Sequence, residues 1–389
     1  MRAMVPTAMR PRGGPSALPS WVSDAVAGRW GVVPVAAALS TLDPKLNASL
    51  NPNHPASPEW YGNTGFGAIV TTWCGGCFDE VGDVFWLPLQ GGHQDYGGND
   101  PWKLLLNQEI PTWAMVRPPS GAIGNLLTTN DGQEATGVYS DGRMRAIHSY
   151  NKPVYVPGLG PVIAAQGTTY FSAAAGTTKP IFIDPDTGEG TFGAANSLLN
   201  GALSGAGTAF DPTRGDEGSI WVRGVGTGRF HLYDIATDTW TQNIGASSSS
   251  SGYASLAYMP EHDCLLWSDT NGLRVFDCAT STIYTPTFSG SPAADWSGCQ
   301  LRWASGKAYT WNNASSTTLV TRITPGADPR TDTWTVDTLS VDGGNATTPT
   351  AKTTNGTYGR FWYSPNLGLF FVFNSVSGSI YFFKPTSAL

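Results

Sequence analysis

The sequence predicts an all-β protein built from repeated short-stranded units, and three observations carry that prediction. Only 13% of the 389 residues are charged while 12% are aromatic, a balance that favours a packed core over disorder. The 47 glycines and 28 prolines punctuate short apolar runs with turn residues, whereas long Leu-, Lys- and Glu-rich helical stretches are missing. A strand–turn–strand pattern also recurs along the chain.

Four segments show that pattern: Phe182 to Thr187 before Phe192, Tyr233 to Thr237 before Trp240, Phe276 to Thr280 before Ile283, and Thr331-Asp332-Thr333 before Trp334. Each sets Asp and Thr in a turn, where their side chains bond nearby backbone, and an aromatic or apolar residue opens the next strand. A degenerate copy runs from Leu104 to Trp113. The opening residues 113, 192, 240, 283 and 334 are spaced by 79, 48, 43 and 51 residues. Periods of about 40–50 residues with short strands indicate four-stranded propeller blades.

Strands follow within each repeat. The first repeat begins with the apolar run Phe66 to Trp73 and continues at Val84 to Leu89, and the second begins near Ile147. A Gly- and Asn-rich insertion over 118–145 accounts for the long first interval. The third repeat has strands at 206–211, 219–223, 229–234 and 239–243, and the fourth at 254–259, 264–268, 273–277 and 283–287. The fifth spans 296–338. The last has strands at 359–363, 367–373 and 379–383 and lacks a fourth, which Gly28 to Val33 supplies. That pairing closes the ring and removes an exposed edge. The expectation is one propeller over 28–389, closed by an N-terminal strand in the last blade. Six blades are expected, or seven if the insertion hides one. Residues 1–27 form an arm outside the ring.

A net charge of −7 argues against nucleic acid as a partner, because phosphate binding needs a basic face. No apolar run approaches the roughly 18 residues of a membrane span. Arg2, Arg10 and Arg12 are followed by no apolar segment, so no Sec signal peptide is read. Cys74-Gly-Gly-Cys77 is a lone CxxC, read as a turn or a local disulfide. Centring a turn on Thr270-Asn271-Gly272 sets Cys264 opposite Cys278, as a disulfide or two buried thiols, with Cys299 left over. No Walker loop, HExxH or GxSxG motif points to a cofactor or a known hydrolase.

The blade pattern resembles kelch-type propellers, including the galactose-oxidase-like ones. Ser20-Trp21 with Gly28-Arg29-Trp30, Gly91 to Asn99, and His148 to Asn151 together resemble a kelch-like group found in bacterial and tailed-phage genomes. That resemblance implies a virion or cell-surface location. A weaker similarity, in site composition, is to propeller polysaccharide lyases.

In a blade, the lead-in to the first strand and the loop joining strands two and three lie on one face. That face gathers His93, Asp95, Tyr96 and Asn99 from the first such loop, Arg145 with His148 and Tyr150 at the opening of the second blade's first strand, and Arg223 leading the loop of the third. His93, His148, Tyr150 and Arg223 are the candidate catalytic residues. Asp95, Tyr96, Asn99 and Arg145 are the candidate ligand-binding ones. Arginines would pair with a uronate carboxylate, and a tyrosine or histidine would then move a proton in a β-elimination. The same residues also suit loop support. His93, Asp95 and His148 would be the donors if a metal were bound, though none is expected. Three readings follow: a virion or tail component that recognises a polysaccharide and is held by residues 1–27, a polysaccharide lyase or other depolymerase acting on uronate glycans, and a scaffold.

Overall fold

The computed structural model describes residues 17–51, 62–92, 95–120, 137–139, 141–164, 178–196, 205–224, 228–247, 253–290, 296, 298–311 and 317–389. Six antiparallel sheets follow one another along the chain as the blades of a β-propeller, each beginning at the axis with its innermost strand. Blade one comprises Cys77–Asp79, Val84–Leu87, Trp102–Leu105 and Thr112–Met115, and blade two Pro153–Val156, Gly160–Ile163, Ile181–Ile183 and Gly190–Phe192. Blade three comprises Gly207–Asp211, Ser219–Arg223, Phe230–Asp234 and Thr239–Ile244, and blade four Ser255–Met259, Cys264–Asp269, Gly272–Asp277 and Thr282–Tyr284. Blade five has Arg302–Ala304, Lys307–Thr310, Thr321–Thr324 and Trp334–Thr338, with Phe288–Ser289 added parallel at its outer edge.

Blade six has three consecutive strands, Phe361–Ser364, Leu369–Phe373 and Ile380–Phe383, and takes Trp30–Val32 as its outermost one. Trp30 pairs with Phe383 and Val32 with Tyr381. This is the ring closure the sequence predicts. It satisfies backbone groups that an open edge would expose.

The core lies between blades. Six apolar clusters form, one at each blade–blade interface. Strands buried on both faces explain the aromatic content of the sequence, since each blade must fill two interfaces. At the closing interface the rings of Phe85 and Trp362 stack at 4.0 Å, and Trp113 packs on Phe373 at 5.4 Å.

Four local expectations are corrected. Phe66 to Thr71 forms a 3-10 turn and a short helix, Gly65–Gly67 and Ala68–Thr71, and the first strand of blade one is Cys77–Asp79. A short apolar run does not distinguish buried helix from buried strand. Blade two begins at Pro153 rather than near Ile147. The arm is docked from Ser20 onward: Val22 is 1% exposed, Trp21 packs on Phe382 at 5.5 Å, and Glu109 accepts from the Ser20 hydroxyl at 2.6 Å. Residues 1–16 lie outside the described residues. Finally, Cys264 pairs with Asp277, not Cys278. The loop holds two residues, Thr270 and Asn271, so the register differs by one from the expected pairing. A one-residue shift sends side chains to opposite faces. Cys264 therefore packs between blades four and five and Cys278 between three and four, and both are free buried thiols, as are Cys74 and Cys77.

Candidate functional site

Each innermost strand is preceded by a residue with positive φ. These are Trp73 (51°), Tyr150 (48°), Gly205 (79°), Tyr253 (71°), Gly298 (64°) and Tyr358 (28°), one per blade. Backbone hydrogen bonds carry this turn from blade to blade around the axis. Tyr150 N donates to Trp73 O at 2.8 Å, Ala254 N to Gly205 O at 2.8 Å, Gly298 N to Tyr253 O at 3.4 Å and Tyr358 N to Gly298 O at 3.2 Å. Thr208 N donates to Asn151 O at 3.1 Å, and Arg360 Nε donates to Cys74 O at 3.1 Å to link blade six to blade one. The backbones approach so closely that a Cβ on Gly75 would lie 1.9 Å from Tyr150 O. Glycine is the residue that fits there.

Glycine would also suit every positive-φ position, yet four of the six carry large aromatics. Left-handed backbone costs a non-glycine residue roughly 1–3 kcal/mol. Their rings converge. Tyr150 lies 6.0 Å from Tyr253 and 5.7 Å from Tyr358, and Tyr253 lies 6.3 Å from Tyr358, so blades two, four and six meet across the axis. Trp73 adds its ring 5.2 Å from His148, which meets Tyr150 edge-on at 6.1 Å. Trp73 and Tyr253 are half-buried, whereas Tyr150 and Tyr358 are buried. The result is an aromatic floor at one end of the axis with two rings partly open to solvent.

Beside the floor, His148 Nε2 lies 2.9 Å from Asp95 Oδ2, and Thr64 Oγ1 donates to Asp95 Oδ1 at 2.7 Å. Below it are two buried cations. Lys152 packs over the Tyr150 ring at 5.1 Å, and burial pulls its ammonium down to about 7. Arg360 donates to the carbonyls of Cys74, Phe373 and Gly356, and burial lowers it to about 10. The Tyr358 hydroxyl is pushed above the usual tyrosine range by burial and by its two tyrosine neighbours.

The sequence-derived residues divide around this centre. His148, Tyr150 and Asp95 belong to it. Tyr96, Asn99 and Arg145 are fully buried and bond to the protein itself. Tyr96 OH donates to Asp100 at 3.0 Å, and Asn99 Nδ2 donates to Met144 O at 2.7 Å. Arg145 Nε donates to Val138 O at 2.9 Å while its guanidinium covers the Tyr139 ring at 5.2 Å. The Asn99 bond ties the first loop to the turn ahead of blade two, as does Tyr139 OH donating to Gly97 O at 2.7 Å, whereas the Tyr96 and Arg145 bonds each stay within one segment. Arg223 is buried between blades three and four beside Asp269. His93 lies outside the described residues. Among the described residues, no group of three or more His, Cys, Asp or Glu side chains is arranged to hold a metal ion, and no helix is long and apolar enough to cross a membrane.

Trp73, Tyr253 and Tyr358 escaped the sequence reading. The available signal was an aromatic followed at once by a small residue, as in Trp73-Cys74-Gly75, Tyr253-Ala254-Ser255 and Tyr358-Gly359, just ahead of an inner strand.

No known protein family matches the chain, and no curated protein does. Among solved structures, the chain is similar to an auxiliary nutrient binding protein from Bacteroides ovatus, at 11% identity and a TM-score of 0.49, over 82% of this chain and 70% of that one. It is also similar to a protein of unknown function from Bacteroides thetaiotaomicron, at 14% identity and a TM-score of 0.46, over 80% and 69%.

Proposed function

We propose that this propeller is a glycan-binding protein that seats a sugar ring on the aromatic floor at the end of its axis. The observation that carries the reading is the set of strained aromatics: Trp73, Tyr150, Tyr253 and Tyr358 hold left-handed backbone where glycine stands in the other two blades. Strain kept at one place in all four is a mark of function. Half-buried rings suit the apolar face of a pyranose, and the partly exposed Asp95 carboxylate beside them is placed to accept from hydroxyls. The sequence resemblance to kelch-like propellers adds display on a virion or cell surface, with a tail protein or other assembly partner held through residues 1–27.

The lyase reading ranks below this one. His148 is 2% exposed under Trp73 and Tyr150, Arg145 and Arg223 are fully buried, and Tyr358 is shifted away from the range of a useful base. A scaffold role would leave the four strained aromatics without a reason.

Tryptophan fluorescence titrated with a panel of neutral and acidic oligosaccharides tests the proposal. Saturable binding is expected, weakened at least about tenfold, or ~1.4 kcal/mol, in Trp73→Gly, which suits the positive φ and deletes the ring. Binding that Trp73→Gly leaves unchanged, or a panel without a ligand, would refute it.

A further inference from the structure

We propose that the outer edge of blade six is a docking site for an extended peptide segment of a partner protein, which adds to the sheet as a parallel strand and seats one bulky apolar side chain in a groove beside it. Binding there is independent of the aromatic floor, which lies at the axis. The ring is closed by the three-residue strand Trp30–Val32, whose inner side pairs with Ile380–Phe383. Val33 N donates to Ile380 O at 2.9 Å, so residues 33 and 380 form a hydrogen-bonded pair and, by alternation, so do Gly31 and Phe382. Trp30 and Val32 therefore direct their backbone groups away from the blade. Trp30 N donates to Asn345 Oδ1 at 2.8 Å. Trp30 O and Val32 N have no partner among the described residues, and Val32 is 47% exposed.

These two groups are the pair that a parallel strand uses. A residue set opposite Gly31 donates its N–H to Trp30 O and accepts from Val32 N through its C=O. Blade five already carries an addition of this kind. Phe288–Ser289 lies parallel along the outer strand Trp334–Thr338, Trp334 N donates to Thr287 O at 2.8 Å, and Phe288 packs against the apolar cluster of that blade. Blade six keeps the corresponding edge open, and an open edge is a template for another chain.

The groove sets what the added strand must carry. Cross-strand neighbours share a face of the sheet, so the side chain opposite Gly31 falls on the face of Phe382. On that face the arm and blade six border a groove of about 220 Å³, lined by Trp21, Val26, Trp30, Gly31 and Phe382, with Asp24 and Arg29 as its polar members. A cavity of roughly 150 Å³ admits benzene, so this one has room for a phenylalanine or leucine side chain. Its indoles present carbon rather than donors: Trp21 Nε1 donates to Gln108 O at 2.9 Å and Trp30 Nε1 to Thr318 O at 2.8 Å. Arg29 is likewise committed, to Asp342 at 2.7 Å. Val32 and Leu319, both exposed, offer apolar surface to the residues on either side of the one in the groove. The occupant is thus an extended segment with a bulky apolar residue between two smaller ones.

The test is fluorescence anisotropy of a labelled synthetic peptide, Lys-Thr-Val-Phe-Val-Thr-Lys, titrated with the full chain. Saturable binding is expected. Methylating the backbone nitrogen of the phenylalanine removes the donor to Trp30 O and should weaken binding about tenfold or more. Replacing that phenylalanine by alanine empties the groove and should do the same. In the protein, Val32→Pro deletes the unpaired N–H at an edge position where proline is tolerated, and should abolish binding with little change in melting temperature. Val32→Thr keeps the N–H and should bind as wild type does. No binding, or binding indifferent to N-methylation of the peptide or to Val32→Pro, would overturn the proposal. So would a homodimer that Val32→Pro dissociates, because the edge would then belong to a second copy of the chain.

Discussion

The two ends of the propeller axis are built on opposite principles. At the far end, where the hairpin between the first two strands of a blade turns, aspartates consolidate the fold. Asp277 accepts from the backbone N–H groups of Ala279 and Thr280 and from Arg330 Nε of blade five, and Arg330 also reaches His262 O. Arg214 of blade three forks onto Asp263 of blade four at 2.8 Å through both oxygens. Ser364 and Asn366 of blade six reach Asp83 of blade one. At the near end, blades meet through a circuit of backbone bonds, strained aromatics and buried cations. Left-handed backbone occurs at both ends, but at the far end it falls on short polar residues such as Asp83 and Asp263, which adopt it at little cost, whereas at the near end it falls on large aromatics. The stable end lets the ring tolerate strain at the end that we assign to binding.

The largest effect should come from breaking a far-end latch. Arg330→Ala removes the charge partner of buried Asp277 and is expected to cost about 2–3 kcal/mol in denaturant unfolding, with glycan affinity unchanged. Burial alone would push the Asp277 carboxyl up, but Arg330 and the two N–H donors bring it below the usual range. Its contribution is therefore full above the unfolded value near pH 4 and disappears as pH falls through the lower folded value. The variant should lose that acid dependence.

The converse change at the near end should separate stability from binding. Tyr253→Gly relieves a left-handed backbone and gives up a half-buried ring, so stability should move by no more than about 1 kcal/mol either way. Glycan affinity should nonetheless fall. A large loss of stability would place Tyr253 among the consolidating residues and erase the contrast.

A smaller effect belongs to neither end. His231 is wholly buried in blade three, and burial lowers its imidazole to about 4. The folded chain keeps it neutral while the unfolded chain takes up a proton below about pH 6.5. Stability should thus decline as pH drops from about 6.5 to 4, with a slope approaching one proton, and His231→Gln should flatten that slope. The smallest effect expected is none: reductant should leave the melting temperature unchanged, because all five cysteines are free.

Blades three and four were legible in the sequence because each turn carries its own chemistry. Asp234 and Asp277 cap turns of the kind their Asp and Thr residues suggest, and strand alternation does the rest. Blade one was less legible. Phe66 to Thr71 is apolar enough for a strand and short enough for a helix turn, and only its packing against Tyr96 and Trp102 distinguishes them. The Cys264 pairing was missed by one residue because register depends on loop length, which Thr270-Asn271-Gly272 leaves ambiguous. The candidate site was legible in part. His148, Tyr150 and Asp95 stood out as polar groups at a blade opening, whereas Trp73, Tyr253 and Tyr358 are brought together from blades far apart in sequence by backbone angles that residue type does not announce.

The most direct test of the central claim is a crystal structure of the protein with an oligosaccharide selected by the titration. The account predicts a sugar ring against Trp73 and Tyr253 at the near end of the axis. A ligand bound at the far end, or on the outer strands with the aromatic floor uncovered, would contradict it.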